Sequence, residues 1–240
     1  YKVELSIETI SKLTSSVSEE VKKWQERPLE KFYPFIYVDC LYAPVKRDLI
    51  SEKVAIYVML GINKDGKKDV LGIWINENES ATFWTEVFEE IKARGVEEIL
   101  FISLDGLSGL SEAIEQIYPK AKTQRCIVHM IRNSVKFVSY KDLRAFCNDL
   151  KLIYNSKDEK EGYEELQKVK EKWKAKYLSA FKTWEDNWDA ICPFFQFSEP
   201  IRKIMYTTNT VESLHMQLRK VSKTKTVFPT DDSLLKILYL

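Results

Sequence analysis

The chain has 240 residues, with 37 Lys+Arg against 36 Asp+Glu, a formal net charge of +1, and 45% hydrophobic residues including 6 Trp, 12 Tyr and 12 Phe. That composition excludes a disordered polyelectrolyte and a small basic DNA-binding module, and suits one large domain or a core with an inserted subdomain. Only 7 Gly and 7 Pro are present, which excludes collagen-like and low-complexity chains.

Ile7, Ile10, Leu13, Val17, Val21 and Trp24 recur at steps of three and four, which predicts an amphipathic helix with Ser6 as its N-cap. Arg27-Pro28-Leu29 breaks it. Residues 35–45 and 54–62 read as strands, and Asn63-Lys64-Asp65-Gly66 reads as a hairpin turn into a third strand at 70–75. Phe83, Trp84, Val87, Phe88 and Ile91 mark a helix that ends at Gly95. Residues 99–104 form an apolar run suited to a strand buried on both faces. A short helix at 110–118 stops at Pro119, and 123–128 reads as a fifth strand. From 132 to 202 the period is helical, except for an aromatic loop, Phe194-Phe195-Gln196-Phe197, between Pro193 and Pro200. Two more helices are expected, at 208–221 and from Asp231, where Pro229-Thr230 and the two acids Asp231 and Asp232 read as a helix start.

The cysteines at 40, 126, 147 and 192 include no Cys-x-x-Cys pair and read as reduced thiols in a cytosol-like compartment. The longest purely apolar run, 55–60, is far short of the roughly 20 residues of a membrane span. No basic segment leading into an apolar stretch opens the chain, so no signal peptide is expected. The first residue is Tyr1 rather than Met, and the sequence reads as part of a longer chain.

Three carboxylates stand out by position. Asp39 interrupts the apolar strand Ile36-Tyr37-Val38-Asp39-Cys40, where an acid is expensive unless paired or bound to a cation. Asp105 follows the buried run 99–104, at the carboxyl end of a central strand, where α/β folds place their sites. Glu212 lies on a late helix between Val211 and Leu214. Each has an ordinary reading: a strand-edge acid paired with a lysine, a strand-ending turn, a surface glutamate. Together they fit a ribonuclease H-like sheet, in which strands one and four are neighbours and a late helix crosses them.

The segments Arg27-Pro28-Leu29-Glu30, Tyr37-Val38-Asp39, Val70-Leu71-Gly72, Asp105-Gly106-Leu107, Cys126-Ile127-Val128-His129, Tyr206-Thr207-Thr208-Asn209, Glu212-Ser213-Leu214 and Leu218-Arg219-Lys220 occur in that order. In this order and spacing the chain resembles, over nearly its whole length, the catalytic region of Mutator-type bacterial insertion-sequence transposases, a DDE family. The resemblance implies an α/β, ribonuclease H-like mixed five-stranded sheet with an all-α insertion between strand five and the last core helix. It divides the chain into an N-terminal helix (1–28), the first part of the core (29–131), the insertion (132–202) and the C-terminal core helices (203–240). Residues 6–13 resemble the recognition helix of a helix-turn-helix.

The resemblance further implies that Asp39, Asp105 and Glu212 hold two Mg²⁺ or Mn²⁺ ions, hard cations that suit oxygen ligands. The implied activity is cleavage of DNA strands at transposon ends and transfer of the cut strand into target DNA. The implied partner is double-stranded DNA, both terminal inverted repeats and target, bound by a homodimer or higher oligomer in the bacterial cytoplasm, at the nucleoid, without a membrane. Two other readings are a ribonuclease H-like nuclease or resolvase without strand transfer, and an inactive DNA-binding remnant.

Other residues are expected around the acids. Cys126 and His129 are half a zinc site at best, and are read as support for the acids or as DNA contacts. Arg219 lies two helical turns beyond Glu212 on the same face, where a cation can meet a phosphate, and Lys220 follows it. His215 is one turn from Glu212, beside the site or simply exposed. Asn209 is an N-cap or a DNA contact. Trp184 and Trp188 are core aromatics or, as the resemblance implies, a stacking surface for a base.

The neutral total also divides unevenly. Residues 119–144 carry seven Lys/Arg and one acid, and residues 201–227 carry six against one. Both basic stretches flank the proposed site, where phosphates would lie. By contrast, residues 155–190 carry eight Lys against nine acids, the dress of solvated helix faces.

Overall fold

The computed structural model describes residues 6–240 except 48, 49, 78, 79, 105, 107, 108, 207, 208 and 224; the side chains of 7, 8, 10–13, 204, 206, 209–212 and 215 also lie outside the description. The elements run α1 (Ile7–Gln25), β1 (Phe32–Arg47), β2 (Ile50–Ile62), β3 (Lys68–Asn76), α2 (Ala81–Ala93), β4 (Glu98–Leu104), α3 (Leu110–Ile117) and β5 (Lys122–Arg125). Helices follow: α4 (Ile127–Val135), α5 (Tyr140–Asn155), α6 (Glu159–Tyr177), α7 (Ser179–Asp186), α8 (Trp188–Ile191), a 3₁₀ turn (Cys192–Gln196), α9 (Glu199–Tyr206), α10 (Asn209–Ser222) and α11 (Asp231–Tyr239).

The five strands form one mixed sheet in the order β3-β2-β1-β4-β5. β1, β2 and β3 are an antiparallel meander, and β4 and β5 join parallel to β1. The turn between β2 and β3 is built by Asn63, whose side-chain oxygen accepts the N–H groups of Asp65 and Lys67 at 3.0 and 2.8 Å. This Asx geometry is why Asn opens the turn. Its amide group in turn donates to Glu30 Oε1 at 2.7 Å, tying the turn to the segment before β1.

Alternation along β1 sends side chains to two different cores. Ile36 and Val38 join Ile102 and Leu104 under Trp84, Phe88 and Ile114 of α2 and α3. The opposite face is covered in two pieces. Phe101 packs under the helices that follow β5, with Met130, Phe146, Phe181 and Trp184. Leu41, Ala43 and Val45 pack under Leu218, Leu234 and Leu238 of α10 and α11. Between these two pieces Tyr37 and Leu60 form a small cluster with Leu214 of α10. Asp39 therefore lies at a seam, between Tyr37 and Leu41 on its own strand face.

Two local readings are corrected. The expected fifth strand, 123–128, is shorter, because Cys126 N–H donates to Leu104 O at 2.7 Å and the chain turns at once into α4. The β-branched pair Ile127-Val128 suggests strand, but Ile127, Met130 and Ser134 are buried at helical spacing. The expected aromatic loop is a 3₁₀ turn with Pro193 near its start and Phe194 fully buried. At the last helix the N-cap is Thr230, whose side chain and that of Ser233 form a reciprocal capping box; Asp231 and Asp232 occupy the first turn.

Candidate active site

The parallel pairing of β1 with β4 ends at Val38↔Leu104, and Asp39 is the next residue of β1. Its residue exposure is 4%, so the carboxylate has left water almost completely. Oδ1 accepts the N–H of Cys40 at 2.8 Å and lies 3.6 Å from His129 Nε2. Arg132 Nη1 lies 3.4 Å from the same imidazole nitrogen, one turn further along α4. A buried acid, an imidazole and a guanidinium thus follow one another from the middle of the sheet toward the first turn of α4.

α4 is aimed by Cys126, its N-cap residue. The thiol is buried, and burial pushes its pKa up, while the nearby backbone N–H groups of His129 and Val128 and the Ser103 hydroxyl draw it the other way. The Cys126 N–H, bonded to Leu104 O at 2.7 Å, anchors the turn that presents His129. Ser103 and Gln124 are buried beside it and are paired across β4 and β5. Burial, and secondarily Cys126, pushes the Tyr37 phenol well above its ordinary range. The sequence reading treated 99–104 as an apolar run and passed over Ser103; a polar residue in such a run is the same signal that singled out Asp39.

The backbone of α10 crosses this face of β1, with Leu214 against Tyr37 and Leu218 in the cluster of Leu41. Asp105 lies outside the described residues, as do the side chains of Glu212, Asn209 and His215. Arg219 and Lys220 are exposed in the last turn of α10. Among the described residues, no three His, Cys, Asp or Glu side chains gather around one point.

The two tryptophans part company. Trp184 is fully buried and its Nε1–H donates to Ser134 Oγ at 2.8 Å, so the core reading is the one this geometry supports, and a base cannot reach it. Trp188, also buried, packs against Tyr163, with ring centroids 5.3 Å apart, under a shallow depression lined by Glu159, Lys160 and Glu164.

A mixed five-stranded sheet flanked by helices, with a buried carboxylate and an imidazole meeting where its parallel strands end, defines an α/β protein with a polar site at the carboxyl edge of the sheet. The chain belongs to the Mutator family of transposases, which it matches over residues 1–240. It is 40% identical over 241 residues to the transposase for insertion sequence element ISRM3 of Rhizobium meliloti (strain 1021), covering 100% of this chain and 60% of that protein. A probable insertion sequence transposase of Corynebacterium diphtheriae is 38% identical over 239 residues, 99% of this chain and 70% of that protein. The transposase for insertion sequence element IS905 of Lactococcus lactis subsp. lactis (strain IL1403) is 33% identical over 230 residues, 96% of this chain and 58% of that protein. The chain thus spans 60% of the length of the first of these relatives. No helix among the described residues is long and apolar enough to cross a membrane.

Proposed function

We propose that this chain is the catalytic region of a DDE transposase that cuts DNA strands at insertion-sequence ends and joins them to target DNA. The observation that carries the reading is the buried Asp39 carboxylate on the central strand, one residue past the end of the β1–β4 pairing. In the sequence Asp105 follows Leu104, the last residue of β4, and α10, which contains Glu212, packs across β1. The strand order β3-β2-β1-β4-β5 supports a ribonuclease H-like core. The run of helices from α4 to α9, between β5 and α10, supports an all-α insertion.

The donor chemistry fits a hard divalent cation. An oxygen-only set of Asp39, Asp105 and Glu212 suits Mg²⁺ or Mn²⁺, and a carboxylate withdrawn from water gains most from such a neighbour. When bound, the ions supply charge stabilisation for in-line phosphoryl transfer. The residues of the chain position the DNA around them. Tyr37, Leu41 and Leu214 keep water from the flanks of Asp39, while His129 fixes the carboxylate from the α4 side. The basic stretches 119–144 and 201–227 hold the phosphates of duplex DNA. A dimer or larger assembly on the paired ends belongs to the same proposal.

Asp39→Asn tests the reading, because it keeps the shape and removes the charge. Incubated with uncut and with pre-cut end duplexes, target plasmid and Mg²⁺ or Mn²⁺, the variant should lose at least roughly 10³-fold in both cleavage and joining, since a metal clamp contributes several kcal/mol. Its DNA affinity should stay close to that of the unaltered chain. Cleavage unaffected by Asp39→Asn sinks the proposed acid site; nicked but never joined products from the unaltered chain favour the nuclease reading.

A further inference from the structure

The carboxyl edge of the sheet holds a guanidinium that the acid site leaves unused. Arg125 is the last residue of β5, in register with Leu104 at the end of β4. Its guanidinium lies against Gly106, two residues beyond that strand end: a Cβ on Gly106 would come within 2.2 Å of the guanidinium carbon. Gly106 also has φ +77°, a conformation that side chains disfavour. The positive φ favours glycine here, and the Arg125 guanidinium rests in the space that a Cβ would fill.

Arg125 is half-buried, and among the described residues its guanidinium meets no hydrogen-bond or ion-pair partner. The amino ends of α2, α3 and α4 all lie at this edge of the sheet, capped by Ser80, Gly109 and Cys126. Those of α2 and α3 touch, since a Cβ on Gly109 would meet Ala81 N at 2.3 Å. Helix amino ends carry partial positive charge and favour anions. A planar guanidinium at this edge, with no partner among the described residues, suits a phosphate, which accepts two parallel N–H bonds from such a fork.

We infer that Arg125 binds a phosphate of the DNA strand held at the Asp39 site, with Gly106 as the seat that leaves room for its guanidinium. The inference rests on the proposed DNA-cutting function and adds to it a specific backbone contact.

The test uses a fluorescent duplex, the full chain and three substitutions: Arg125→Gln, Arg125→Lys and the control Lys151→Gln on the exposed surface of α5. Anisotropy titrations over a range of salt concentrations give Kd and its salt slope, and thermal melting confirms that each variant is folded. Arg125→Gln should raise Kd about tenfold and lower the slope by about one. Arg125→Lys should keep the slope and lose part of the affinity, because a point charge lacks the fork. Lys151→Gln should change neither. Wild-type Kd and slope in Arg125→Gln, or an equal loss in Lys151→Gln, overturns the inference. Asp39→Asn, assayed for nicking in parallel, separates the two ideas. Loss of nicking there with no effect of Arg125→Gln leaves the acid site standing and removes the Arg125 contact. Undiminished nicking in Asp39→Asn, together with the Arg125 effect, does the reverse. Absence of salt-dependent binding by the unaltered chain overturns both.

Discussion

His129 Nε2 stands 3.6 Å from Asp39 Oδ1, joining the first turn of α4 to the middle of β1. The side chains are 18% and 5% exposed, so little water competes for the contact. Partners that orient a metal-binding carboxylate typically contribute 10–100-fold to metal affinity or activity. His129→Ala should therefore lower cleavage by about 10–100-fold and shift the Mg²⁺ or Mn²⁺ dependence to higher concentration. A metal titration of the nicking rate checks this. A variant with normal metal dependence and reduced DNA affinity would instead make His129 a DNA contact.

Trp184 marks the centre of the core formed by the helices after β5. It is fully buried, and Ser134 Oγ, which accepts from its Nε1–H, itself lies within reach of Met130 O at 2.9 Å and Ala180 O at 3.1 Å. Trp184→Ala should cost about 3–5 kcal/mol, and Trp184→Phe about 1–3 kcal/mol through the lost hydrogen bond. Urea denaturation measures both. DNA binding by the folded Trp184→Phe protein should be normal; weak binding with unchanged stability would return a stacking role to this ring.

The succession of strands and the place of Asp39 in one were legible because both rest on local patterning, whereas the pairing of β1 with β4, distant in the sequence, was expected only from the topology the acids suggested. A charge inside an apolar strand is costly wherever the strand goes, so Asp39 announced itself. That the two tryptophans sit on different helices was not legible: Trp184 and Trp188 share one helical spacing in the sequence, yet α7 ends at Asp186 and α8 begins at Trp188, and both rings are buried in one core. The start of α4 was hidden by strand-like residues, since a tertiary bond from Cys126 to Leu104 ends β5 early. Arg125 counted as one basic residue among seven in 119–144; only the fold sets it against Gly106.

Arg27 shows the same dependence on distant partners. It bonds Asp69 Oδ1 at 2.6 Å, Val70 O at 2.7 Å and Trp24 O at 2.8 Å, while its own carbonyl accepts from Arg94 Nε at 3.0 Å. This clasp fixes the end of α1 to β3, reinforced by Trp24 against Tyr239 of α11. Arg27→Ala leaves a carboxylate and two carbonyls short of a donor and should cost about 1.5–3 kcal/mol. Hydrogen exchange should quicken in α1 well before α2. Equal protection of the two helices in the variant would mean that apolar packing alone holds α1.

Alkaline stability tests the buried phenols. Tyr33 is fully buried, and its pKa is pushed up to about 12, first by burial and then by the neighbouring Asp69 carboxylate, working against the Glu30 N–H that donates to its oxygen. Burial also raises Tyr37 and Tyr118. A folded-state pKa above the unfolded value means that the folded state binds the proton more tightly. The stabilisation is complete below an ordinary phenol value of about 10 and drains away as pH rises from there through the folded values. Spectrophotometric titration should therefore show these three of the 12 tyrosines silent in the folded chain near about pH 11. They should ionise together with the loss of circular dichroism at higher pH. Tyr33→Phe should lessen the alkaline loss of stability, because one titrating group is gone. Ionisation of all the tyrosines in one gradual step, with the dichroism intact, would show that these phenols reach water in the native state.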